Sequence, residues 1–501
     1  MESLPKSFKA VACPGPNQGW RYLTRPLRPP NPAEILIRVH ASGICNSDHF
    51  VQEEKWSGII YPRVPGHEVV GQIAAVGEAV RQQQKIDGTS GASGGEAWEG
   101  GRFEIGSLVG VGWNGGYCGR CRYCRKGDFP GCLELQITGI NHDGGHAEYI
   151  YAPANSVVHF PPSALADASY AQLTSLLCAG TTVYHALRTT PNYAPGDLCL
   201  VHGIGGLGHL AIQYASKLGL RVLAVSASPA HASKRGVALA LGAHEYLDAS
   251  IPAPSSPALL SDSETAQLDV DAGAARLAEI VAAVQAMGGA QVILATTPSS
   301  ASVNAIIPAV ARNGCVTVVA TTDGHVGMDN VALNVRRATI RGWACGAAGE
   351  TEECVRFSCA VGIKAIVKEW KFEDYADAYR DTMEGRPEFR NAPCSGGPPR
   401  QLLYTEQDGR IPSFLCKPEN RHSYSVWRWA CYLQVLSRPQ LSKPLRLCVS
   451  ASTHNDCGTV RRLSNLLINP IVTSSPDALF APWSMAKQDS RLRGLLDSEL
   501  G

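Results

Sequence analysis

The sequence predicts an α/β protein in two parts, an irregular β domain followed by a doubly wound parallel sheet. Three observations carry that prediction. The first 160 or so residues are dense in Gly, Pro and β-branched runs, as in "EILIRVHASGIC", "HEVVGQIAAVG", "SLVGVGW" and "HAEYIYAPANSVVHF", which read as short strands joined by turns. From about Pro195 strand and helix alternate: "DLCLVHG", "GLGHLAIQYASKLG", "RVLAVSAS", "KRGVALALGA", then "AQVILAT" and "CVTVVAT". Such alternation implies βαβ units and a parallel sheet. Between the first of these strands and its helix, "VHGIGGLGHLAIQYA" sets Gly203, Gly205 and Gly208 in G-x-G-x-x-G order, with Gly206 and Leu207 inside the motif. The motif alone is weak, but here it follows a strand and opens a helix, as pyrophosphate binding on unpaired helix-terminal amides requires.

The second strand of this part ends at Ser226, where an NAD-selective protein carries an acid for the ribose hydroxyls. Ser226 and Ser228, with Lys234 and Arg235 close behind, suit a 2′-phosphate and so favour NADP over NAD. A solvated loop and helix start would account for them equally well.

Three stretches fit neither part. Residues 82–101 are rich in Gly and Ser and read as a surface insertion, and residues 249–273, rich in Pro, Ser and acids, read as a loop insertion. Residues 391–501 have weak periodicity and receive no fold, as an atypical or disordered tail.

Composition excludes several classes. The 501 residues leave room for two or three domains, and 45 basic against 44 acidic side chains give a net charge of +1 with no basic stripe for nucleic acid. "MESLPKSFKAVACPG" has no apolar leader core, and no segment approaches the roughly 18 apolar residues of a membrane span, so a cytoplasmic location is expected. Seventeen cysteines are too few for a disulfide scaffold, and a tight cluster of them in a reducing compartment points to metal.

Cys118, Cys121, Cys124 and Cys132 form that cluster, in C-x2-C-x2-C-x7-C spacing that lets four thiolates converge on one zinc ion. Four protein ligands leave no open position, so its expected role is structural. Arg120, Arg122, Arg125 and Lys126 would offset its formal charge. Cys45, His67, Glu68 and Cys178 are dispersed, and spacing alone does not unite them. Taken singly, Cys178 reads as a core thiol and His67 as a turn or surface histidine.

With "GICNSD", "YPRVPGHEVVG", the four-cysteine lobe, "LLCAGTTVYHAL" and "VHGIGGLGHLAIQYA" in that order, the chain resembles the zinc-dependent medium-chain alcohol dehydrogenases, particularly their cinnamyl-alcohol-dehydrogenase-like and microbial branch. The resemblance runs from about residue 8 to 390. It implies a GroES-like catalytic domain over 1–178 with its structural zinc lobe at 117–132, a Rossmann coenzyme domain over 179–345, and a return to the catalytic domain over 346–390. It makes Cys45, His67 and Cys178 the ligands of a catalytic zinc, with Glu68 behind the metal as a transient ligand, giving two zincs per chain. Asp48 would orient His67, and Ser47 would take the alcohol proton. Relatives continue that relay through a histidine where this chain has Phe50, leaving His49 as the nearest substitute, and Asn46 stands where a cofactor-binding histidine is common. Thr182 would pack on the nicotinamide and Arg390 would reach the pyrophosphate.

The implied reaction interconverts alcohols and aldehydes or ketones by hydride transfer with NAD(P)(H), on a small-molecule substrate, in a homodimer or homotetramer. Phe50, Trp56 and Trp113 are candidates for an aromatic substrate wall, and core packing explains them equally. Two other readings compete: a non-catalytic zinc and NADPH-binding protein with a damaged C-terminus, and a polyol dehydrogenase. Relatives end on an apolar strand after the arginine. Here "NAPCSGGPPRQ" follows, and because Pro393 has no amide to donate, that strand is expected to be missing.

Overall fold

In a computed structural model, the protein is described over residues 4–89, 102–226, 231–249, 262–385 and 389–395. β1 (Ser7–Ala12) and β2 (Arg21–Pro26) form an antiparallel ribbon. β3 (Glu34–Ser42), β4 (Val69–Val76), β5 (Leu108–Val111), β6 (Tyr149–Pro153) and β7 (Val157–His159) pair antiparallel around β3 and β4. Their inward residues, among them Ile35, Ile37, Val69, Ile73, Val109 and Ile150, form one buried cluster. The alternation read from the sequence is thus the alternation of a sheet with one covered face.

The second sheet is wholly parallel. β8 (Leu198–His202), β9 (Arg221–Ser226), β10 (Glu245–Asp248), β11 (Ala290–Ala295), β12 (Val310–Val318) and β13 (Thr339–Gly342) lie in the order β10-β9-β8-β11-β12-β13. Every residue of β8 is buried because helices cover both faces: Cys199 and Val201 enter one apolar cluster, Leu198 and Leu200 the other. The order reverses between β8 and β11, and ligands of doubly wound sheets bind outside the strand ends at such a switch point. Gly203 follows β8 at that place.

The chain then returns to the first sheet. β14 (Val367–Lys371) runs parallel to β15 (Arg390–Cys394), and β15 meets β3 at Cys394 opposite Ala41. This corrects the expectation of a missing final strand and of an unassigned segment beginning at 391. Pro393 sits opposite Trp370 without an amide to give, but buried Asn391 holds the strand in place. Its Nδ2 donates to Ala378 O, Asp381 Oδ2 and Thr382 Oγ1, and its Oδ1 accepts from Trp370 Nε1 at 2.9 Å.

Two expected loops are partly helical. The helix Glu78–Thr89 covers the first part of 82–101, and the helix Asp262–Ala286 reaches back into 249–273. The first carries Glu78, Ala79 and the run Gln82–Gln84 and the second repeated Ala, Leu, Glu and Gln, whose helix propensity outweighs the turn formers around them. Residues 90–101, 250–261 and 396–501 lie outside the described residues. Among the described residues, no helix is long and apolar enough to cross a membrane.

Candidate active site

The dispersed group converges. One donor atom from each of Cys45, His67, Glu68 and Cys178 lies within 4.8 Å of the others. Cys45 follows the end of β3, His67 and Glu68 precede β4, and Cys178 stands at the start of the helix Ala179–Arg188. The two thiols are 3.9 Å apart. His67 and Glu68 are buried, yet His67 Nε2 and Glu68 Oε2 have no hydrogen-bond partner. Buried polar atoms are nearly always paired, so orphans pointing into a nest of thiols are those that a metal ion would satisfy. Soft sulfur with imidazole is a donor set suited to zinc. The turn or surface position that His67 suggests taken singly is corrected by its burial.

Asp48 organises this cluster. It accepts from the Cys45 amide at 3.0 Å and the Gly66 amide at 3.2 Å, and it faces His67 Nδ1 at 3.4 Å and His146 Nε2 at 3.2 Å. The Cys45–Asp48 contact arises locally, because an acid three residues into a helical turn reaches back to the amide at its start. Burial raises the Asp48 carboxyl, but the charges and hydrogen bonds of His146 and His67 overcome it and hold the group well below the usual carboxylate range. Burial works against a charged His67, while the Cys45 thiolate and Asp48 together push it up to about 10.

His146 carries no signal in the sequence and was missed. Its Nδ1 bonds Ser42 Oγ at 2.9 Å, and its ring fills the space where a side chain on Gly66 would stand, since a Cβ there would come within 2.8 Å of it. Gly66, at φ +103°, has a backbone that only glycine adopts readily. Through Asp48 and Gly66, His146 buttresses both sides of His67.

Beyond Cys178, Thr182 Oγ1 donates to the Cys178 carbonyl at 2.7 Å and accepts from the Cys345 amide at 3.2 Å. Cys345, also missed, brings a third thiol to 3.7 Å from Cys178 Sγ.

The glycine loop lies alongside. A Cβ on Gly208 would come within 1.9 Å of the Gly203 carbonyl, so the turn closes only with glycine there. A Cβ on Gly205 would meet nothing within 4 Å, so protein packing does not explain that glycine, whereas a phosphate brought close to the backbone does. Arg390 stands between the two sites. Its guanidinium bonds Glu68 Oε1, and its Cδ would lie 2.7 Å from a Cβ on Gly206. Ser226 is buried at the end of β9 and Lys234 is half-buried, whereas Ser228 lies outside the described residues.

Ser47 is half-buried on the short turn Asn46–Asp48, and the His49 ring bonds the Asn46 carbonyl. From His67 the aromatics follow in a row: Trp113 lies edge-on at 4.8 Å, the exposed Trp56 at 6.0 Å from Trp113, and the buried Phe50 at 6.1 Å from Trp56. The four-cysteine lobe is compact, with its sulfurs within 4.8 Å of one another. Amides of Cys124 and Leu133 bond Cys121 and bring its thiol down to about 6, whereas burial pushes the neighbouring Cys124 thiol up to about 12. Of the cations interleaved with it, Arg120 pairs with Glu134 at 2.7 Å and Arg122 bonds Tyr123 Oη at 2.8 Å.

Residues 31–162 match the alcohol dehydrogenase GroES-like domain, and residues 206–359 match the zinc-binding dehydrogenase family. The chain is 33% identical to the alcohol dehydrogenase patD of Penicillium expansum over 77% of its own length and 98% of the relative's. It is 30% identical to the alcohol dehydrogenase notN of an Aspergillus species, again over 77% and 98%. Among solved structures it resembles a cinnamyl alcohol dehydrogenase of Sorghum bicolor, with a TM-score of 0.60 and 23% identity over 78% of this chain and 98% of that one. An alcohol dehydrogenase of Aeropyrum pernix gives a TM-score of 0.60 and 23% identity, over 77% and 100%. The ordered matches of both parts, at full length of the relatives, make this chain a member of the zinc-dependent medium-chain alcohol dehydrogenases, an oxidoreductase that interconverts alcohols and carbonyl compounds with a nicotinamide coenzyme.

Proposed function

We propose that Cys45, His67 and Cys178 hold the catalytic zinc and that Cys118, Cys121, Cys124 and Cys132 hold a second, structural one. The orphaned, buried Nε2 of His67, set among the Cys45, Cys178 and Glu68 donors, carries this reading. When bound, the metal polarises the substrate oxygen while the coenzyme exchanges hydride with the adjacent carbon. The chain's own residues do the rest. Asp48 keeps the His67 Nδ1 proton and leaves Nε2 as the donor atom. Ser47, two residues from Cys45, accepts the alcohol proton in oxidation and returns it in reduction, with the half-exposed His49 as its route to solvent. Thr182 lines the nicotinamide position, and the loop Gly203–Gly208 with Arg390 receives the pyrophosphate. Glu68, held by Arg390, stands behind the metal as a reserve ligand.

The aromatic path from His67 through Trp113 and Trp56 to Phe50 supports an aromatic or allylic alcohol/aldehyde pair as substrate. Ser226 at the end of β9, with Lys234 and Arg235 following, supports NADP over NAD. The edge strand β13, with exposed Val331 and Val335 on the adjoining helix Asn330–Arg336, supports a homodimer or homotetramer. The tight cysteine cluster, with no disulfide among the described cysteines, supports a cytoplasmic location. Oxidation of NADPH and NADH by the pure protein against an aldehyde panel tests the substrate and coenzyme. The expected result is faster turnover with NADPH on cinnamyl- or benzyl-type aldehydes, and a Trp113→Ala variant that loses this preference mainly through KM. Equal rates on short aliphatic aldehydes, unchanged in the variant, would reject the aromatic wall.

A further inference from the structure

Cys178 has sulfur on both sides. Its Sγ is 3.9 Å from Cys45 and 3.7 Å from Cys345, and the paired sulfurs of the structural lobe, Cys121–Cys124 and Cys118–Cys132, are each 3.6 Å apart. Two thiolates about 2.3 Å from one tetrahedral zinc stand roughly 3.8 Å from each other. The Cys178–Cys345 separation is therefore one that two sulfurs on a shared metal can have, and it matches the pair spacing inside the lobe of the same chain.

Packing holds Cys345 there. Its amide bonds Thr182 Oγ1, its Sγ lies 3.4 Å from that same oxygen, and Thr182 in turn bonds the Cys178 carbonyl. The residue sits at φ +30°, a backbone that side chains other than glycine adopt only under constraint. Gly346 follows, with space for a side chain closed off by Thr181 and Glu350. A strained backbone next to a reactive centre persists when its neighbours fix it, and here it sets a thiol against Cys178 from the side of Thr182.

We propose that in the enzyme free of substrate and coenzyme the Cys345 thiolate is the fourth ligand of the zinc held by Cys45, His67 and Cys178, closing the site until the nicotinamide and substrate displace it. This rests on the zinc assignment made above. Thr182 couples the two events, because the residue that lines the nicotinamide position also anchors Cys345. Glu68 is the chain's other candidate for that position. Its Oε1 is engaged by Arg390, which leaves one carboxylate oxygen, so the two candidates differ in the element they present to the metal.

Zinc X-ray absorption on the full-length protein, with total zinc measured alongside, separates them. With Cys345 bound, the two zincs together carry about seven sulfurs, and about six in a Cys345→Ser variant that still holds both metals. Imidazole binding followed by calorimetry supplies a second readout. An internal ligand occupying the position in about nine molecules of ten weakens the apparent affinity for an external one about tenfold, so Cys345→Ala tightens imidazole binding by that factor. Two zincs with six sulfurs in wild type and variant alike, and unchanged imidazole affinity, overturn the proposal while leaving the zinc assignment intact. A wild-type chain that holds only one zinc, with four sulfurs, overturns both.

Discussion

At Asp48 a single carboxylate accepts from two backbone amides and faces two imidazoles, and only one of those rings belongs to the Cys45 donor cluster. The other, His146, acts at one remove, and partners of this kind typically account for 10–100-fold in metal affinity or activity. A His146→Ala variant is expected to lose zinc from the Cys45 cluster at about 10–100-fold lower chelator concentration, while the lobe zinc is retained. His146→Gln, whose amide replaces the Nε2 donor, recovers part of the loss. Metal content across a chelator titration reads this out, and equal retention in all three proteins would refute it. The glycine loop gives a second contrast. Gly208→Ala drives a methyl into the Gly203 carbonyl and is expected to unfold the loop, whereas Gly205→Ala meets no protein atom and is expected to raise the coenzyme KM with little change in melting temperature. Asp48, Cys45 and Gly205 were legible because they sit in short motifs. His146 and Cys345 were not, because each reaches the site from about 100 or more residues away, through packing that no spacing rule records.

The two elements that flank the coenzyme loop carry buried histidines. Burial holds His202, the last residue of β8, and His209, in the helix Gly208–Lys217, down to about 4. His209 must be neutral: its Nδ1–H faces the Gly205 carbonyl at 3.1 Å while Nε2 accepts the Ile366 amide at 3.2 Å. An unfolded imidazole titrates near 6.5, so between about pH 6.5 and 4 these two rings together bind up to two more protons in the unfolded chain than in the native one. Their contribution is complete above about pH 6.5 and is lost as pH falls toward 4, at up to about 1.4 kcal/mol per pH unit for each ring. Denaturant unfolding at pH 5 and 8 checks this: His209→Gln should remove about one proton of the dependence, and an unaltered slope would contradict it. At β15, Asn391→Ala strands the Trp370 Nε1 donor and three acceptors, at a cost of about 2–3 kcal/mol in unfolding free energy, measured by the same denaturation. The strands and the Rossmann helix were readable from period and glycine placement. β15 was misjudged because a proline and small residues conceal a strand whose hold is one buried asparagine, and the helix Asp262–Ala286 because turn formers mask its propensity.

Across the whole molecule, the return of the chain to its first sheet puts Arg390 against Gly206 on one side and Glu68 on the other, so the glycine loop and the Cys45 donor cluster share one cation. The family was legible in the order of five motifs. The geometry that unites Cys45, His67 and Cys178 required the fold, because these residues come from the end of one strand, the approach to the next, and the first turn of a helix more than 100 residues later. The most direct test of the account is the zinc content of wild type and Cys45→Ala together with their aldehyde reductase rates. Two zincs per chain in wild type are predicted, with one in the variant, which should fold cooperatively and turn over no substrate. A wild-type chain with a single zinc, or a Cys45→Ala protein that keeps wild-type turnover, would contradict it.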